Sequence, residues 1–593
     1  MKQFLMTVAG VFVGLVLFVV GVPFLLIVMA VGAARPAPVP AHTILNLDLR
    51  GGLSDQPSQS PFAAFGGGGL SVMSVSETLR RAETDDKVKG VLVRLPDGGM
   101  NPAAADELRL AFKHFRAVGK KPIYAHSQGL YPSGMVTSTY MLGAAASQFW
   151  MQPDSSMQAV GAASETLFYK RLFEKYGVKA QYEQRYEYKN AVNPYLQSDY
   201  TPAHRESTLS WMGSIYRSAL ATAAADRGKN LAALTQTIEA GPYSAQDAKA
   251  KGLIDKVGQV KEAQDALLAQ AGKNGKLMDF DDYISRANRV GPPKTGAAIA
   301  VINAEGAIVT GTSASGGAFG AESTIYSDDA SKAIYDAIQD KDVKAIVLRV
   351  SSPGGSDTAS EQILAAVKAA KAAGKPVVVS MGAYAASGGY WISSYASSIY
   401  AQPTTLTGSI GVFGGKFALG DALSRFGVDT RQLSVGGDYA GAFGTADGFT
   451  PDQRAKFAGW MDRIYDGFVA RVAEGRQLPP NRVREIAKGR VWTGLQAKQL
   501  GLVDEIGGFY DAVDKAKSLA GLKGEVRLKA FGGTRSPFEA LEKALGVSST
   551  SVRTLAAAGW ILGDPRSQAI LDELAKSRMR SQGAAVLADT PIH

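Results

Sequence analysis

One serine lies in a stretch whose other residues are too small to cover it. The stretch SMGAYAASGGYWISS occupies residues 380–394 and places Ser387 between two alanines and two glycines. Small neighbours suit a helix start that packs tightly against a strand, and they equally suit a nucleophile that a substrate backbone must approach. The residues alone therefore leave a structural and a catalytic interpretation of Ser387 open.

A nucleophilic serine needs a base, and the histidines are poorly placed to supply one. After His204 the chain has only His593, so His126 or His204 would have to reach Ser387 from the first half. Lysine is the other common base, but burial must first lower its pKa, which is ordinarily about 10.4. Lys189, in YEYKNAVNPY (186–195), has aromatic and apolar neighbours. It is either such a base or a lysine whose stem lies among apolar residues while its ammonium reaches water.

Composition excludes several other kinds of chemistry. The 593 residues include no cysteine, so thiol nucleophiles and thiolate metal ligands are absent. No metal site and no cofactor are expected, because no two histidines share a metal-ligand spacing. The net charge is +10, yet the chain has no dense Lys/Arg block, so nucleic acid is not an expected partner. A basic domain held near anionic lipid is the simpler interpretation.

Predicted strands and helices alternate around the serine stretch. AIVLRV (345–350) and PVVVSM (376–381) are apolar runs typical of buried strands. Between them EQILAAVKAAKAA is predicted as a helix that starts at a capping box of Thr358 and Glu361 and ends at Gly374. A further helix is predicted at SGGYW. Units of this length favour parallel strands with right-handed crossovers, which is the α/β class.

The chain contains two related halves. Four pairs of segments recur in the same order at nearly constant spacing: VKGVLVRLPDGG (88–99) with VKAIVLRVSSPGG (343–355), FWMQP (149–153) with IYAQP (399–403), SWMGSIY (210–216) with GWMDRIY (459–465), and AKAKGLID (248–255) with AKQLGLVD (497–504). Chance does not give this order, so the sequence predicts a tandem duplication. The first repeat is assigned to 42–270 and the second to 297–530, with a linker at 271–296.

The halves differ at the positions that matter for chemistry. In the aligned repeats Ser387 corresponds to Thr137. The first repeat lacks the glycine pair that follows Ser387. Lys189 corresponds to Tyr439 in the alignment, so the second repeat lacks the lysine. The second repeat therefore keeps the serine and its glycine pair, and the first repeat keeps the lysine. This split predicts one composite site that takes its serine from one repeat and its lysine from the other.

The first 34 residues predict a membrane anchor. Residues 4–34 carry no charged side chain, and the run is long enough to span a bilayer and too long for the apolar core of a cleaved signal peptide. Residues 1–3 are expected in the cytoplasm and the rest of the chain outside it. RPAPVPA (35–41) is predicted as a spacer that holds the first repeat off the membrane. Residues 531–593 do not repeat and are predicted as a C-terminal extension with a weakly ordered tail.

Four motifs together resemble signal peptide peptidase A in its long, two-repeat bacterial form. They are YKNAVNP (188–194), SSPGGS (351–356), AASGGYW (385–391) and TGSIGVFG (407–414). The resemblance covers nearly the whole chain and implies the fold of Clp protease and crotonase, built from ββα superhelical units. The expected architecture is α/β: a tandem duplication of that domain behind one N-terminal transmembrane helix. The activity implied is that of a membrane-anchored serine endopeptidase that uses a Ser–Lys dyad to degrade remnant signal peptides without ATP.

The resemblance also implies roles for individual residues. Ser387 would be the nucleophile and Lys189 the general base. Ser409 would hydrogen bond the lysine and orient it. The backbone N–H groups of Gly355 and Gly388 would form the oxyanion hole, where glycine lets the backbone approach the developing charge closely.

One residue departs from this expectation. Glu187 lies two positions before Lys189, so on a strand the two side chains would share a face. A carboxylate there would hold the lysine charged. The proposed base therefore requires that Glu187 turn to solvent or pair with Arg185.

The same resemblance predicts partners and location. Cleaved signal peptides would be the substrates, and the chain would assemble into a ring-like homotetramer. It would cross the inner membrane once, with the peptidase repeats in the periplasm.

Two other functions stay open at this point. A crotonase-fold acyl-CoA hydratase or isomerase would share the paired-glycine loop, but it would need a catalytic carboxylate and a soluble chain. A membrane-anchored scaffold or pseudo-peptidase would keep the fold without the chemistry. A fluorophosphonate probe that labels Ser387 separates both from the peptidase.

Overall fold

The computed structural model of the chain describes residues 38–57, 69–287, 296–313, 323–524, 526–532 and 586–587. The predicted anchor at 4–34 lies outside the described residues, as do most of the spacer at 35–41 and most of the C-terminal extension. Among the helices that the structure does describe, none is both long and apolar enough to cross a bilayer.

Strands and helices alternate along both halves of the chain. The strands are β1 (Thr43–Asp48), β2 (Val88–Arg94), β3 (Ile123–Ser127), β4 (Gln148–Met151), β5 (Ser156–Met157), β6 (Lys179–Arg185), β7 (Tyr243–Ser244), β8 (Lys256–Val257), β9 (Lys276–Asp279), β10 (Ala298–Glu305), β11 (Ala307–Val309), β12 (Thr324–Tyr326), β13 (Val343–Ser352), β14 (Gly354–Gly355), β15 (Val377–Ala386), β16 (Ser398–Ala401), β17 (Leu406–Gly408), β18 (Val412–Ala418), β19 (Val491–Thr493), β20 (Glu505–Ile506), β21 (Arg527–Phe531) and β22 (Val586–Leu587). The helices are α1 (Val72–Thr84), α2 (Pro102–Gly119), α3 (Val136–Ala144), α4 (Lys170–Tyr176), α5 (Asn193–Leu196), α6 (Pro202–Asp226), α7 (Leu231–Glu239), α8 (Ala245–Ala250), α9 (Val260–Ala271), α10 (Phe280–Ala287), α11 (Ser327–Gln339), α12 (Asp357–Ala372), α13 (Gly388–Ser393), α14 (Gly420–Ser424), α15 (Pro451–Arg476), α16 (Pro480–Ile486), α17 (Gly494–Gln499) and α18 (Phe509–Leu519), with a 3₁₀ helix at Asn190–Val192. This alternation is the predicted α/β class.

Two parallel sheets with the same strand order form the centre of the molecule. The first half has the order β8-β4-β3-β2-β1-β9. The second half repeats it as β20-β16-β15-β13-β10-β21, and in this sheet β17 also pairs with β15 and carries the antiparallel strand β19. The shared order is the arrangement that a tandem duplication produces. The repeat bounds 42–270 and 297–530 themselves stay predictions.

The second sheet is apolar on both faces because helices cover both. Along β13, Ile346 and Leu348 join the large core beneath α11 and α12. Their neighbours Ala345 and Val347 point to the opposite face and pack in the cluster that contains Phe509 of α18. A strand buried on both sides has no polar face, which explains the continuous apolar runs in the sequence.

Helix α12 begins one turn earlier than the sequence pattern indicates. The predicted capping box at Thr358 and Glu361 is wrong, because Ser356 is the N-cap and its side chain accepts the N–H of Ala359 (3.3 Å). The Thr358 hydroxyl bonds instead to that of Ser356 (2.9 Å). The predicted end is confirmed, since Gly374 follows the last turn with a φ of +75° that favours glycine.

A two-stranded ribbon joins the halves beside the serine. Strand β6 of the first half pairs antiparallel with β18 of the second, with Arg185 opposite Val412. Lys189 follows shortly after the end of β6, and Ser409 lies shortly before the start of β18. The pairing therefore brings the lysine of one half beside the serines of the other.

A buried arginine also links the two halves. Arg349 on β13 is 1% exposed and donates two hydrogen bonds to Asp55 (2.9 and 2.5 Å). Its third donor reaches Glu107 at 3.2 Å. Both carboxylates belong to the first half, so three charges that would be costly to bury alone are paired across the interface.

The short strand β14 lies between β11 and β22, next to the serine-bearing turn. Gly355 pairs in parallel with Ile308 of β11. On the other side, Gly354 and Gly355 pair antiparallel with Leu587 and Val586 of β22. Strand β14 is therefore paired with extended backbone on both sides.

Candidate active site

Ser387 occupies a sharp turn between β15 and α13. Its φ of 54° and ψ of −119° are rare for a residue with a side chain, and its side chain is fully buried. The Ser387 N–H donates to the carbonyl of Gly408 (2.9 Å). The turn is thus fixed by the strand β17 that precedes Ser409.

Close packing explains the glycine pair after Ser387. A Cβ on Gly388 would lie 2.7 Å from Ser360 Oγ, and one on Gly389 would lie 2.7 Å from the carbonyl oxygen of Ser352. Larger residues would push α13 away from β13 and β14. The structural interpretation of the small residues is therefore correct for the glycines, but it gives no reason for the hydroxyl of Ser387.

Lys189 reaches that hydroxyl from the other half of the molecule. Its Nζ lies 3.0 Å from Ser387 Oγ, and its side chain is completely buried. It also lies 2.9 Å from Ser409 Oγ and 3.0 Å from the carbonyl oxygen of Ser409. Burial lowers the pKa of Lys189 to about 7. A lysine with that pKa is about half neutral at pH 7, so it can accept a proton there.

The concern about Glu187 rested on a strand that the structure does not contain. Strand β6 ends at Arg185, so Glu187 and Lys189 do not share a strand face. Glu187 is exposed and its carboxylate pairs with Lys488 at 2.9 Å. Arg185 bonds instead to Asp462 (2.5 Å). The carboxylate thus points away from Lys189, and the lysine keeps its apolar surroundings.

The two glycines expected to form an oxyanion hole are neighbours in space. A Cβ on Gly388 would lie 3.1 Å from the backbone nitrogen of Gly355. Gly388 is the first residue of α13, so its N–H has no partner within that helix. The structure therefore brings together Ser387, Lys189, Ser409, Gly355 and Gly388, all the site residues that the sequence predicted.

The corresponding place in the first half is closed. Gly99, the counterpart of Gly355, donates its N–H to the carbonyl of Ser133 (2.6 Å). The buried hydroxyls of Thr137 and Ser138 have no hydrogen-bond partner among the described residues. This segment keeps the shape of an oxyanion loop while its donor is already used.

The two histidines considered as bases have other surroundings. His126 Nε2 lies 3.1 Å from the carbonyl oxygen of Gly258, and burial lowers the pKa of His126 to about 4. His204 packs against the rings of Phe168 and Tyr200. Neither is a partner of Ser387. Among the described residues, no group of three or more His, Asp or Glu side chains is arranged to hold a metal ion.

Sequence reasoning missed a turn at residues 488–490 that touches both loops of the site. The carbonyl of Lys488 accepts the N–H groups of Tyr186 (3.3 Å) and Tyr188 (3.2 Å). The carbonyl of Arg490 accepts the N–H of Ser409 (2.7 Å). Backbone atoms make these contacts, so the side-chain types of residues 488–490 did not indicate them. Only the glycine at 489 could have pointed to a close backbone approach.

A serine with a buried lysine at hydrogen-bond distance, on a duplicated α/β fold, is the arrangement of a serine protease. The family model "Peptidase family S49" matches residues 116–274 and 369–523, one segment in each half. Protease 4 of Salmonella typhi is 35% identical over 520 residues, which are 84% of this chain and 81% of that protein. The chain therefore belongs to peptidase family S49 and is a serine protease, which confirms the resemblance drawn from the four motifs.

The chain is also similar to two further curated relatives and, more weakly, to two solved structures. Protease 4 of Haemophilus influenzae is 31% identical, over 87% of this chain and 86% of that protein. The chloroplastic serine protease SPPA of Arabidopsis thaliana is 29% identical, over 81% and 69%. Among solved structures, a mutant of the 1510-N membrane-bound stomatin-specific protease in complex with a substrate peptide matches with a TM-score of 0.26 and 16% identity, over 42% of this chain and 99% of that one. A ClpP1 mutant from Listeria monocytogenes matches with a TM-score of 0.24 and 15% identity, over 36% and 94%.

Proposed function

We propose that this serine protease uses Ser387 as its nucleophile and Lys189 as its general base. The observation that carries the proposal is the 3.0 Å separation of Lys189 Nζ and Ser387 Oγ in a fully buried setting. A neutral amine has two N–H groups and one lone pair. With the two N–H groups directed to the carbonyl and hydroxyl of Ser409, the lone pair is left for the hydroxyl proton of Ser387.

The reaction follows from these positions. Ser387 Oγ attacks the carbonyl carbon of the scissile bond while Lys189 takes its proton. The N–H groups of Gly355 and Gly388 stabilise the oxyanion. Lys189 then protonates the leaving amine, and an ester to Ser387 remains. Water hydrolyses that ester in the same way, with Lys189 again accepting and returning the proton.

The proposed substrate is an extended, apolar peptide of the kind left when a signal peptide is released. The strand Gly354–Gly355 supports this choice, because it pairs with extended backbone at Val586–Leu587, a position that an extended peptide would take in its place. The relatives from Salmonella typhi and Arabidopsis thaliana are both named as proteases. The abbreviation SPPA in the name of the chloroplast relative agrees with the resemblance to signal peptide peptidase A.

We propose further that the protein is anchored in the inner membrane with its repeats in the periplasm. The uncharged run at 4–34 supports an anchor, and the net charge of +10 suits a domain near anionic lipid. A homotetramer is supported by the loop that carries Phe426, Leu433 and Val435. These side chains are 78%, 98% and 97% exposed, and a second copy of the chain would cover them.

The test of the nucleophile is labelling by a fluorophosphonate together with cleavage of an apolar fluorogenic peptide. Ser387→Ala is expected to abolish both and to leave the circular dichroism spectrum unchanged, because alanine fits among the neighbouring alanines. Ser393→Ala is the matched control: Ser393 is an equally buried serine at the end of the helix that follows Ser387, and its hydroxyl donates to the carbonyl of Gly389 (2.7 Å). In the wild type, kcat/KM should rise with pH through about 7, as Lys189 loses its proton.

Each other outcome has a distinct meaning. Labelling that persists in Ser387→Ala would show that another residue is the nucleophile. A folded wild type that neither labels nor cleaves would favour the non-catalytic scaffold.

A further inference from the structure

The turn at residues 488–490 packs directly against the backbone of Lys189. We infer that Gly489 is a positioning residue, which sets the place of the Lys189 amine by direct backbone contact. The inference rests on the proposed function of Lys189 as general base. It concerns a residue that has no side chain and makes no contact with the reacting atoms.

The contact between Gly489 and Lys189 leaves no room for a side chain. A Cβ on Gly489 would lie 2.5 Å from Lys189 Cβ and 2.6 Å from both its Cα and its backbone nitrogen. The φ of Gly489 is +80°, which also favours glycine. The backbone at 489 is therefore too close to Lys189 for any side chain to fit between them.

A second glycine continues this stack of backbones. A Cβ on Gly411 would lie 2.6 Å from Gly489 Cα and 2.6 Å from the carbonyl oxygen of Arg185. Gly411 lies two residues after Ser409, in the loop that orients the amine. The stack Gly411–Gly489–Lys189 thus fixes the spacing between the lysine loop and the Ser409 loop.

Hydrogen bonds hold the turn to both loops at once. Lys488 accepts N–H groups from the lysine loop, Arg490 accepts the N–H of Ser409, and Gly489 donates to the carbonyl of Ile410 (2.8 Å). The Arg490 guanidinium makes two 2.7 Å bonds to Glu206. It also lies 4.8 Å from the ring centre of Tyr188, one residue before the lysine. The turn is therefore tied by hydrogen bonds to the loops of both Lys189 and Ser409.

The consequence for catalysis is steep because Lys189 works through a single hydrogen bond of 3.0 Å. A methyl group at 489 would displace the lysine backbone and carry Nζ away from Ser387 Oγ. A displacement of about 1 Å at a reacting group costs about 100-fold in rate. A displaced amine also loses its apolar surroundings, so its pKa should rise back toward the ordinary value of about 10.4.

The experiment measures the rate of fluorophosphonate labelling from pH 5 to 10 in the full-length protein. Labelling forms the Oγ–P bond, expels fluoride and transfers the Ser387 proton to Lys189, so its pH profile reports the base directly. Gly489→Ala is expected to lower the rate at pH 7 by about 10- to 100-fold. It should also move the ascending limb to higher pH, so that the loss shrinks above pH 9. A residue that only supports the fold would lower the amount of active protein without moving the profile.

Gly374→Ala is the matched control. Gly374 has a similar φ of +75° but open space around its Cα, so it imposes the same backbone strain without the contact. Its profile is expected to coincide with that of the wild type. Gly411→Ala is the second variant, since its methyl would press the turn onto Lys189 through Gly489, and a shift in the same direction is expected.

The outcomes separate this inference from the function beneath it. If Ser387→Ala still labels, the proposed function fails. If Ser387→Ala is silent while Gly489→Ala and Gly411→Ala keep the wild-type profile, the function stands and the positioning role is overturned. Failure of both glycine variants to fold would also overturn it, because the stack would then be a general element of stability.

Discussion

At the scale of the residue, burial of Lys189 affects stability as well as reactivity. Its pKa is about 7 in the folded protein and about 10.4 in an unfolded chain. Between these values the unfolded chain binds a proton that the folded protein does not, so stability rises with pH by up to about 1.4 kcal/mol per unit. The penalty is complete below pH 7 and absent above about pH 10.4.

Lys189→Met removes this titration while keeping an unbranched side chain of similar length. The variant should be inactive, and its melting temperature relative to the wild type should increase as the pH falls from 10 to 7. Thermal unfolding followed by circular dichroism at several pH values measures the difference. Lys488→Met is the control, because Lys488 is exposed and its ion pair with Glu187 lies outside the buried site. A constant difference across this pH range would show that Lys189 is charged in the folded protein.

Ser409 supports the base with two groups, of which a substitution removes one. Ser409→Ala deletes the hydroxyl 2.9 Å from Lys189 Nζ and keeps the carbonyl 3.0 Å from it. We expect kcat/KM to fall about 10-fold, the usual effect of losing one hydrogen bond of about 1.5 kcal/mol. Assay with the same fluorogenic peptide measures the change. A loss as complete as that of Ser387→Ala would mean that Ser409 takes part in proton transfer itself.

At the scale of the element, local sequence patterns predicted the strands and helices of single segments. They did not predict the contacts between segments that are distant in the chain. The strands and the helix before Ser387 were predictable, because apolar runs and the stop at Gly374 are properties of neighbouring residues. The end of β6 at Arg185 was not, since it is set by pairing with β18 in the other half. The contacts of the turn at 488–490 were equally invisible, because backbone atoms make them. The residues of the site were identified by motif, whereas the support beneath them required the structure.

The ribbon of β6 and β18 is held by aromatic side chains from both halves. Phe417 on β18 meets the rings of Phe173, Tyr182 and Tyr195 edge-on, with ring centres 5.5, 5.3 and 5.4 Å apart. Phe417→Ala should lower peptidase activity several-fold, because β6 leads directly to Lys189. Tyr335→Ala is the control, since Tyr335 is an exposed aromatic residue on α11. Equal activity of the two variants in the peptide assay would show that the ribbon does not position the lysine.

At the scale of the whole molecule, the two halves share a buried group of charges as well as an active site. Arg349 was visible in the sequence only as a repeated position, the counterpart of Arg94, and its partners Asp55 and Glu107 are remote in the chain. Near them Glu305 accepts the N–H groups of Asp55 (3.0 Å) and Gln56 (2.9 Å), and burial with the Asp55 charge raises the pKa of Glu305 to about 7. The positive charge of Arg349 thus offsets the negative charges of the buried acids at the interface between the halves.

Arg349→Leu should destabilise the protein strongly, because it leaves buried carboxylates without a partner. The expected loss is about 3–5 kcal/mol, with a fall in activity as the halves lose their relative position. Urea unfolding and the peptide assay measure both effects. Arg482→Leu is the control, since Arg482 forms an exposed pair with Glu485 on one helix and should change stability by less than about 1 kcal/mol. Similar unfolding of the two variants would mean that the buried carboxylates become neutral at little cost.

Because the residues of the site are far apart in the chain, they are synthesised at different times. The ribosome makes Lys189 first, Ser387 198 residues later, and the turn that ends at Arg490 after both. A growing chain that stops before this turn carries the proposed base without its support, and one that stops before Ser387 lacks the proposed nucleophile. Hydrolysis therefore becomes possible only when most of the polypeptide has been made, so an unfinished protease cannot cut itself or the other new proteins around it.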